Sequence, residues 1–453
     1  MNVNIAILAA GRGTRMHSQL PKVLHPVAGK PMLQWLIETA TALQPQNTYV
    51  VCGYQKEKIQ QAFAQAPVTW LEQTKQLGTA DAVNCVLPHV PSDSHLLVLV
   101  GDTPLISVQT LQKFIAQIET DALGLLTSTV SNPAGLGRIL RDQTNQVMGI
   151  VEEKDADEQQ KAIGEINTGI MLLPVNDLQR WLANITANNT QQELYLTDVV
   201  AMAAQEQKKI CTLYVAEQEV LSVNNRVQLA YLERYQQRRI AENLMLQGVT
   251  LFDPNRLDIR GDVDIASDVT LDINVVMTGK VSIGRNSIIG ANVVLRNTTI
   301  GENVTIKSHS DIEGATIANH CEIGPFARIR AETVLAEHVK IGNFVEIKKT
   351  TIAANSKANH LTYLGDATIG KGVNIGAGTI TCNYDGVNKA STIIEDGVFI
   401  GSNSALIAPI TIGKNATIAA GSIINKSAPA EQLTLSRVKQ TSMANWRRPQ
   451  KKS

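Results

Sequence analysis

Val281-Ser282-Ile283-Gly284-Arg285-Asn286-Ser287-Ile288-Ile289-Gly290-Ala291-Asn292-Val293-Val294-Leu295 puts an aliphatic residue at every sixth position, from Ile283 through Ile289 to Leu295. The same step returns at Ile300-Gly301, Ile323-Gly324, Ile341-Gly342, Ile369-Gly370, Ile375-Gly376, Ile400-Gly401 and Ile412-Gly413. Aromatic residues are few here and helix formers do not cluster. A six-residue period marks a parallel β-helix, in which three short strands make one triangular coil and each coil buries its aliphatics on the next. Some steps are five residues, as from Ile312 to Ile317, Ile347 to Ile352 and Leu364 to Ile369, and these predict a shortened corner. Between Ile380 and Ile393 the rhythm stops, and Thr381-Cys382-Asn383-Tyr384-Asp385-Gly386-Val387-Asn388-Lys389 predicts a loop ejected from the coil. Loops on rigid scaffolds are where binding residues sit.

Upstream the grammar differs. Ile5–Leu8, Tyr49–Val51, Leu96–Val100, Leu123–Val130 and Gly169–Leu173 are short continuous apolar runs, as expected of strands covered on both faces. Amphipathic segments such as Pro31–Leu43 and Val108–Ile118 lie between them and predict helices. The alternation predicts an α/β layer around a mostly parallel sheet. From Asn225 to Leu246 the pattern is helical, with Gly248 as a stop. The expected organisation is a domain over 1–226, a linker helix over 227–247 and a β-helix over 248–453.

With 453 residues, 44% of them hydrophobic, the chain is long enough for two ordinary cores. Its 41 basic and 41 acidic residues cancel, which argues against nucleic acid and for small-molecule partners. A basic run, Trp446-Arg447-Arg448-Pro449-Gln450-Lys451-Lys452, reads as a solvated tail. Five scattered cysteines without CxxC spacing fit a reducing compartment and provide no zinc or disulfide framework. No apolar stretch approaches the roughly 20 residues of a membrane span. A cytoplasmic enzyme without membrane insertion is the expectation.

Leu8-Ala9-Ala10-Gly11-Arg12-Gly13-Thr14-Arg15-Met16 follows the first strand. Glycines let backbone N–H groups approach phosphate oxygens, and arginines add charge and bidentate donors. A tight turn explains Gly-x-Gly equally well, and neither the Walker loop nor the GxGxxG fingerprint is present. Pro21-Lys22 offers a cation for charge developing on a leaving pyrophosphate. Gln73, Gln76 and Leu77-Gly78-Thr79-Ala80 form a second polar turn. Asp102 of Val100-Gly101-Asp102 stands at the carboxyl edge of a strand, where ligands bind in open α/β sheets.

In this order the motifs resemble those of the sugar-1-phosphate nucleotidyltransferases, in which a sugar phosphate attacks the α-phosphorus of a nucleoside triphosphate and Mg²⁺ offsets phosphate charge. The resemblance implies that Leu8, Ala9, Gly11 and Arg15 meet the nucleotide phosphates and base. It also carries Lys22, Gln73, Gly78 and Thr79 to the nucleotide. Asp102 becomes a metal ligand joined by Asn224, with Asn225 as the alternative, and Gly137, Glu152 and Asn167 hold the sugar. Val100 departs from the family pattern, which has tyrosine there, and leaves open any contact made through that ring.

In the β-helix, acetyl transfer from a thioester to an amine calls for a base, oxyanion donors and cations for a substrate phosphate. Histidine is the side-chain type best suited to that base, which makes His360 the natural candidate, although a lone histidine or a row of cations also fits a structural face. The full set resembles the bifunctional family with N-acetylglucosamine-1-phosphate uridylyltransferase and glucosamine-1-phosphate N-acetyltransferase activities. Gly-Pro-Phe-Ala-Arg (324–328), Gly-Asn-Phe-Val-Glu (342–346), His-Leu-Thr-Tyr-Leu-Gly-Asp (360–366), the run from Asn374 to Gly386 and the Trp-Arg-Arg-Pro tail carry it. The match spans essentially the whole chain. It implies a left-handed β-helix, His360 as general base, and Arg330, Lys348, Tyr363, Asn374 and Lys389 around glucosamine-1-phosphate. By the same resemblance, Ala377, Asn383, Tyr384, Ser402, Ala420 and Arg437 are expected to line the acetyl-CoA site. The resemblance also implies UTP as the other substrate and a homotrimer with acetyl-transfer sites between neighbouring β-helices. The competing expectation is a nucleotidyltransferase of one activity whose β-helix is regulatory or trimerising.

Overall fold

The computed structural model describes residues 1–451, so Lys452 of the basic run lies outside the described residues. The chain forms two compact units, Met1–Gln236 and Gln237–Ser453.

In the first unit the chain lays down β1 (Val3–Ala9), β2 (Thr48–Cys52), β3 (Thr69–Glu72), β4 (His95–Val100), β5 (Leu123–Thr129), β6 (Arg138–Arg141), β7 (Val147–Val151), β8 (Glu165–Pro174) and β9 (Ile210–Tyr214). Seven of them form the sheet in the order β9-β5-β8-β4-β1-β2-β3, with β6 pairing β8 and β7 at the side. Successive side chains of β1 and β4 go to opposite faces. Ile5, Ile7, Leu97 and Leu99 meet Leu33 and Leu36 of α1 (Met32–Ala42) on one side. Ala6, Leu96 and Val98 meet Val83 of α2 (Thr79–Asn84) and Val199 of α3 (Asp198–Gln205) on the other. Burying each such aliphatic side chain stabilises by about 1.5–3 kcal/mol. β8 runs antiparallel to both β4 and β5. Composition does not reveal that direction, because a run buried on both faces reads the same either way.

His95 of β4 and His25 are buried, and the Nε2 of each has no hydrogen-bond partner. Burial pushes both imidazoles below the ordinary 6.5, the guanidinium of Arg226 adding to the effect at His25 and a backbone hydrogen bond at Thr120 opposing it at His95. The unfolded chain therefore takes up protons as pH falls through about 6.5 while the folded chain refuses them. Stability is expected to decline below that pH by up to about 1.4 kcal/mol per unit for each histidine. His95→Gln should flatten the acid side of a plot of urea midpoint against pH between 7.5 and 5.5.

The second unit is a parallel β-helix. Leu271, Ile289, Ile306, Ile323, Ile341, Ala358, Ile375, Ile400 and Ile418 stack in register down one inward column, and all are buried. One corner turns through left-handed residues at Asn286, Asn303, His320, His338, Asn355 and Asn415. Asparagine suits that conformation because its short polar side chain lowers the steric cost. The five-residue steps are single-residue corners. Gly314, Lys349 and Asp366 have positive φ there, and Lys349 and Asp366 bend otherwise continuous strands.

Helix α4 (Arg226–Leu246) crosses the division between the units. Leu232 packs with Met16, Val27, Met32 and Leu105 in the first. Ala241 and Leu244 join the aliphatic core of the second. Gln237 donates to the Ile259 carbonyl at 2.6 Å and accepts from the Ile259 N–H at 2.8 Å, both buried. Its amide thus takes the place of a neighbouring strand at the first coil.

Candidate functional sites

Two cavities open at the carboxyl edge of the first unit's sheet. One, of about 570 Å³, is lined by Leu8, Ala9, Gly11, Lys22, Gln73, Gly78, Thr79 and Asp102. The other, of about 320 Å³, is lined by Leu8, Arg15, Thr79, Val100, Asp102, Gly137, Glu152, Asn167 and Asn224. Every residue expected for nucleotide, sugar or metal therefore borders one cavity or both. Leu8, Thr79, Val100 and Asp102 are common to the two, so a phosphate bound between them is within reach of both.

Lys22 stands at that junction. Its Nζ donates to Asp102 Oδ2 at 2.5 Å and to Asn224 Oδ1 at 2.8 Å, and Arg15 reaches the same Asn224 oxygen at 2.9 Å. Gly13 makes room for it: with φ +59°, it would carry a Cβ only 2.6 Å from Lys22 Cβ. Asn225 instead accepts from the Gln228 N–H and caps α4, so Asn224 is the one brought to Asp102. Asp102 and Asn224 thus turn two hard oxygen donors toward a cation, here the Lys22 ammonium, and that donor type suits Mg²⁺. Among the described residues no cluster of three His, Cys, Asp or Glu side chains forms a closed metal cage.

The sugar-side residues are tied to the nucleotide side through one strap. Leu196 N–H donates to Thr79 Oγ1 at 2.9 Å, and the Thr197 hydroxyl donates to Glu152 Oε1 at 3.0 Å. Burial pushes the Glu152 carboxyl above its ordinary value, with the Thr197 hydrogen bond pulling down and nearby Asp155, Asp198 and Glu193 pushing up. Asn167 accepts from the Gly169 N–H at 3.0 Å, which orients its amide beside the glycine turn at Gly137. Val100 packs on Gly169, whose Cβ would lie 3.0 Å from Val100 Cγ1.

On the β-helix, β10 (Lys340–Asn343), β11 (Glu346–Ile352), β12 (Lys357–His360), β13 (Tyr363–Ile369), β14 (Asn374–Ile375) and β15 (Ile380–Cys382) assemble the second set. Asn343 pairs in register with His360. Ala358 pairs Ile375, Ile375 pairs Ile400 and Ile400 pairs Ile418. Two positions further along each coil, His360, Ala377, Ser402 and Ala420 therefore follow one another down a single corner. Arg437 reaches the foot of this column, its Cδ 3.7 Å from where a Cβ of Gly421 would stand. Arg330 and Lys348 occupy equivalent places on the adjoining face, where Arg330 pairs with Glu346 at 2.8 Å and Glu346 lies in register with Tyr363. Tyr363 folds over Gly365, whose Cβ would strike its hydroxyl at 2.3 Å.

The ejected loop is present. Ile369 and Ile394 are partners 25 positions apart, against 17 for Ile352 and Ile369. Within it Tyr384 bridges Lys389, and Asn383 donates to Asp366. Backbone N–H groups of Asn388 and Val387 hold the Asp385 carboxyl below the usual range and close the turn. Asn374 pairs Lys357 on the coil before the loop.

Sequence reasoning missed Asn343. Its Oδ1 lies 3.0 Å from His360 Nδ1, which fixes the tautomer that leaves Nε2 free to accept a proton. The signal was available: 17 residues is one coil.

A MobA-like NTP transferase domain model matches residues 5–162, a GMPPB C-terminal domain model residues 259–363, and a hexapeptide repeat of succinyl-transferase residues 391–426. Among curated relatives, the "Bifunctional protein GlmU" of Idiomarina loihiensis is 51% identical over 453 residues, covering 100% of this chain and 99% of its own. The protein of the same name from Pseudoalteromonas atlantica is 50% identical over 453 residues, covering 100% of both. That of Legionella pneumophila is 49% identical over 458 residues, covering 100% and 99%.

Proposed function

The chain belongs to the GlmU family of bifunctional enzymes, and from that premise we infer how its residues divide the work. It is a transferase that acetylates glucosamine-1-phosphate with acetyl-CoA and couples the resulting N-acetylglucosamine-1-phosphate to UTP, giving UDP-N-acetylglucosamine and pyrophosphate. The first unit has the nucleotidyltransferase fold and the second is a left-handed β-helix. The observation that carries the two-site reading is that the candidates fall into two sets on separate folding units, with none left over.

In uridylyl transfer a phosphate oxygen of the sugar attacks the α-phosphorus of UTP and pyrophosphate leaves. The nucleotide occupies the larger cavity and the sugar the smaller one. Lys22 Nζ neutralises charge on the phosphates at the junction, and Arg15 supports it. Asp102 and Asn224 would hold Mg²⁺, which would offset the charge of the phosphates. Gly137, Glu152 and Asn167 orient the sugar.

In acetyl transfer His360 Nε2 takes the proton from the amine as its nitrogen attacks the thioester carbonyl, and CoA leaves as the thiol. Asn343 accepts from Nδ1–H throughout, so the ring presents its lone pair. Arg330, Lys348 and Lys389 bind the sugar phosphate, with Tyr363 and Asn374 placing the ring. Ala377, Ser402, Ala420 and Arg437 line the CoA path, and Asn383 and Tyr384 close it from the loop. Ile380, Ile393, Phe399, Ile407 and Ile423 are exposed aliphatic or aromatic side chains on the β-helix, which supports burial against neighbouring copies in a homotrimer. The activities divide as 1–226 and 248–453, with 227–247 as the connecting helix. Five free cysteines suit a cytoplasmic setting. No described helix is long and apolar enough to cross a membrane.

The test is thiol release. Purified chain with acetyl-CoA should liberate CoA only when glucosamine-1-phosphate is present, and adding UTP with Mg²⁺ should then liberate pyrophosphate. CoA release that ignores the amino sugar, or none, would demote the β-helix to a scaffold.

A further inference from the structure

We propose that Asp81 sets the base specificity of the nucleotide cavity by holding the Gln73 side-chain amide in one orientation. Gln73 is 4% exposed and lines the larger cavity. Its Nε2 donates to the Gly78 carbonyl at 2.9 Å and to Asp81 Oδ2 at 2.8 Å. An amide nitrogen carries two hydrogens, so both are consumed inside the protein. Oε1 is what remains to meet a ligand. The same Asp81 oxygen also accepts from the Leu77 N–H at 3.3 Å, which keeps the carboxylate on the turn.

Sheet order places Gln73 at the base end of a bound nucleotide. It follows β3, three strands from β4, whose end carries Asp102. At about 4.8 Å per strand the separation is roughly 14 Å, a span that suits a nucleoside lying between phosphates at Lys22 and a base at Gln73. An acceptor held there matches the N3–H of uracil. Cytosine presents a bare N3, which leaves two acceptors facing each other. A buried polar group left unpaired weakens binding more than a lost contact does. Without Asp81 the amide keeps only its hydrogen bond to the Gly78 carbonyl, so Oε1 is held less firmly toward the base and the discrimination against the bare N3 of cytosine weakens. Asp81 is thus a positioning residue acting through Gln73.

The inference rests on the uridylyl reading, and the experiment separates the two. The kcat/KM ratio of UTP to CTP is measured with N-acetylglucosamine-1-phosphate and Mg²⁺ for the full chain and three variants. Asp81→Leu and Asp81→Ala should lower the ratio about tenfold, the alanine variant guarding against misfolding from added bulk. Asp81→Asn, whose Oδ1 can replace the carboxylate oxygen, should keep most of the wild-type ratio. An unchanged ratio in the leucine and alanine variants overturns the proposal, as does an equal loss in the asparagine variant. Absence of UTP turnover in the unmodified chain would instead count against the uridylyl function itself.

Discussion

In the His360→Ala variant, acetyl transfer is expected to fall by about 10²–10⁴-fold, while uridylyl transfer supplied with N-acetylglucosamine-1-phosphate stays within twofold. The amine of glucosamine-1-phosphate must lose a proton as it attacks, and the imidazole is the group whose ordinary pKa suits that task near neutrality. The hydrogen bond between Asn343 Oδ1 and His360 Nδ1 presets the tautomer, so replacing the ring removes both acceptor and orientation. The fold should tolerate the change, because His360 is exposed at a corner while the buried core position of its coil is Ala358. Thiol release and pyrophosphate release, measured on one preparation, decide the matter. Loss of both activities with the fold intact would show that the sites are not separable.

Asp102→Ala should give the opposite pattern. Uridylyl transfer is expected to drop on the order of 10³-fold, with CoA release unchanged. Asp102 borders both cavities of the first unit and shares Lys22 with Asn224. Removing it deletes the carboxylate proposed to hold the cation and leaves the Lys22 ammonium, whose side chain is 12% exposed, without its partner. Chelation of Mg²⁺ in the unmodified protein should reproduce the same asymmetry. A variant that kept its uridylyl rate and its Mg²⁺ dependence would exclude Asp102 as the ligand.

Much of this was legible beforehand. Ile283, Ile289 and Leu295 announce the β-helix because burial at every sixth position is a local property, written within a few residues of itself. The break after Ile380 announces the loop for the same reason. The Gly-Arg loop and Asp102 were legible as ends of apolar strands, which is where an α/β sheet binds ligands. The choice between Asn224 and Asn225 was not. Adjacent asparagines share one local environment, and only the start of α4 turns Asn225 into a cap and leaves Asn224 toward Lys22.

By itself, the sequence determined the six-residue period and its break, the apolar strands β1, β2, β4, β5 and β8, and the helices α1 and α4. It also determined where the grammar changes and which residue types stand at the strand ends. Strands β3, β6, β7 and β9 and helix α3 came only with the structure. Tertiary structure alone decided that β8 runs antiparallel between β4 and β5, that Thr79 and Glu152 share a strap, and that Asp81 holds Gln73. It also stacked His360 above Ala377, Ser402 and Ala420. The physical reason is range. Periodicity records whether each residue is buried, but strand order and register decide which distant residue it meets, and that depends on how the whole chain minimises exposed apolar surface and unpaired polar groups.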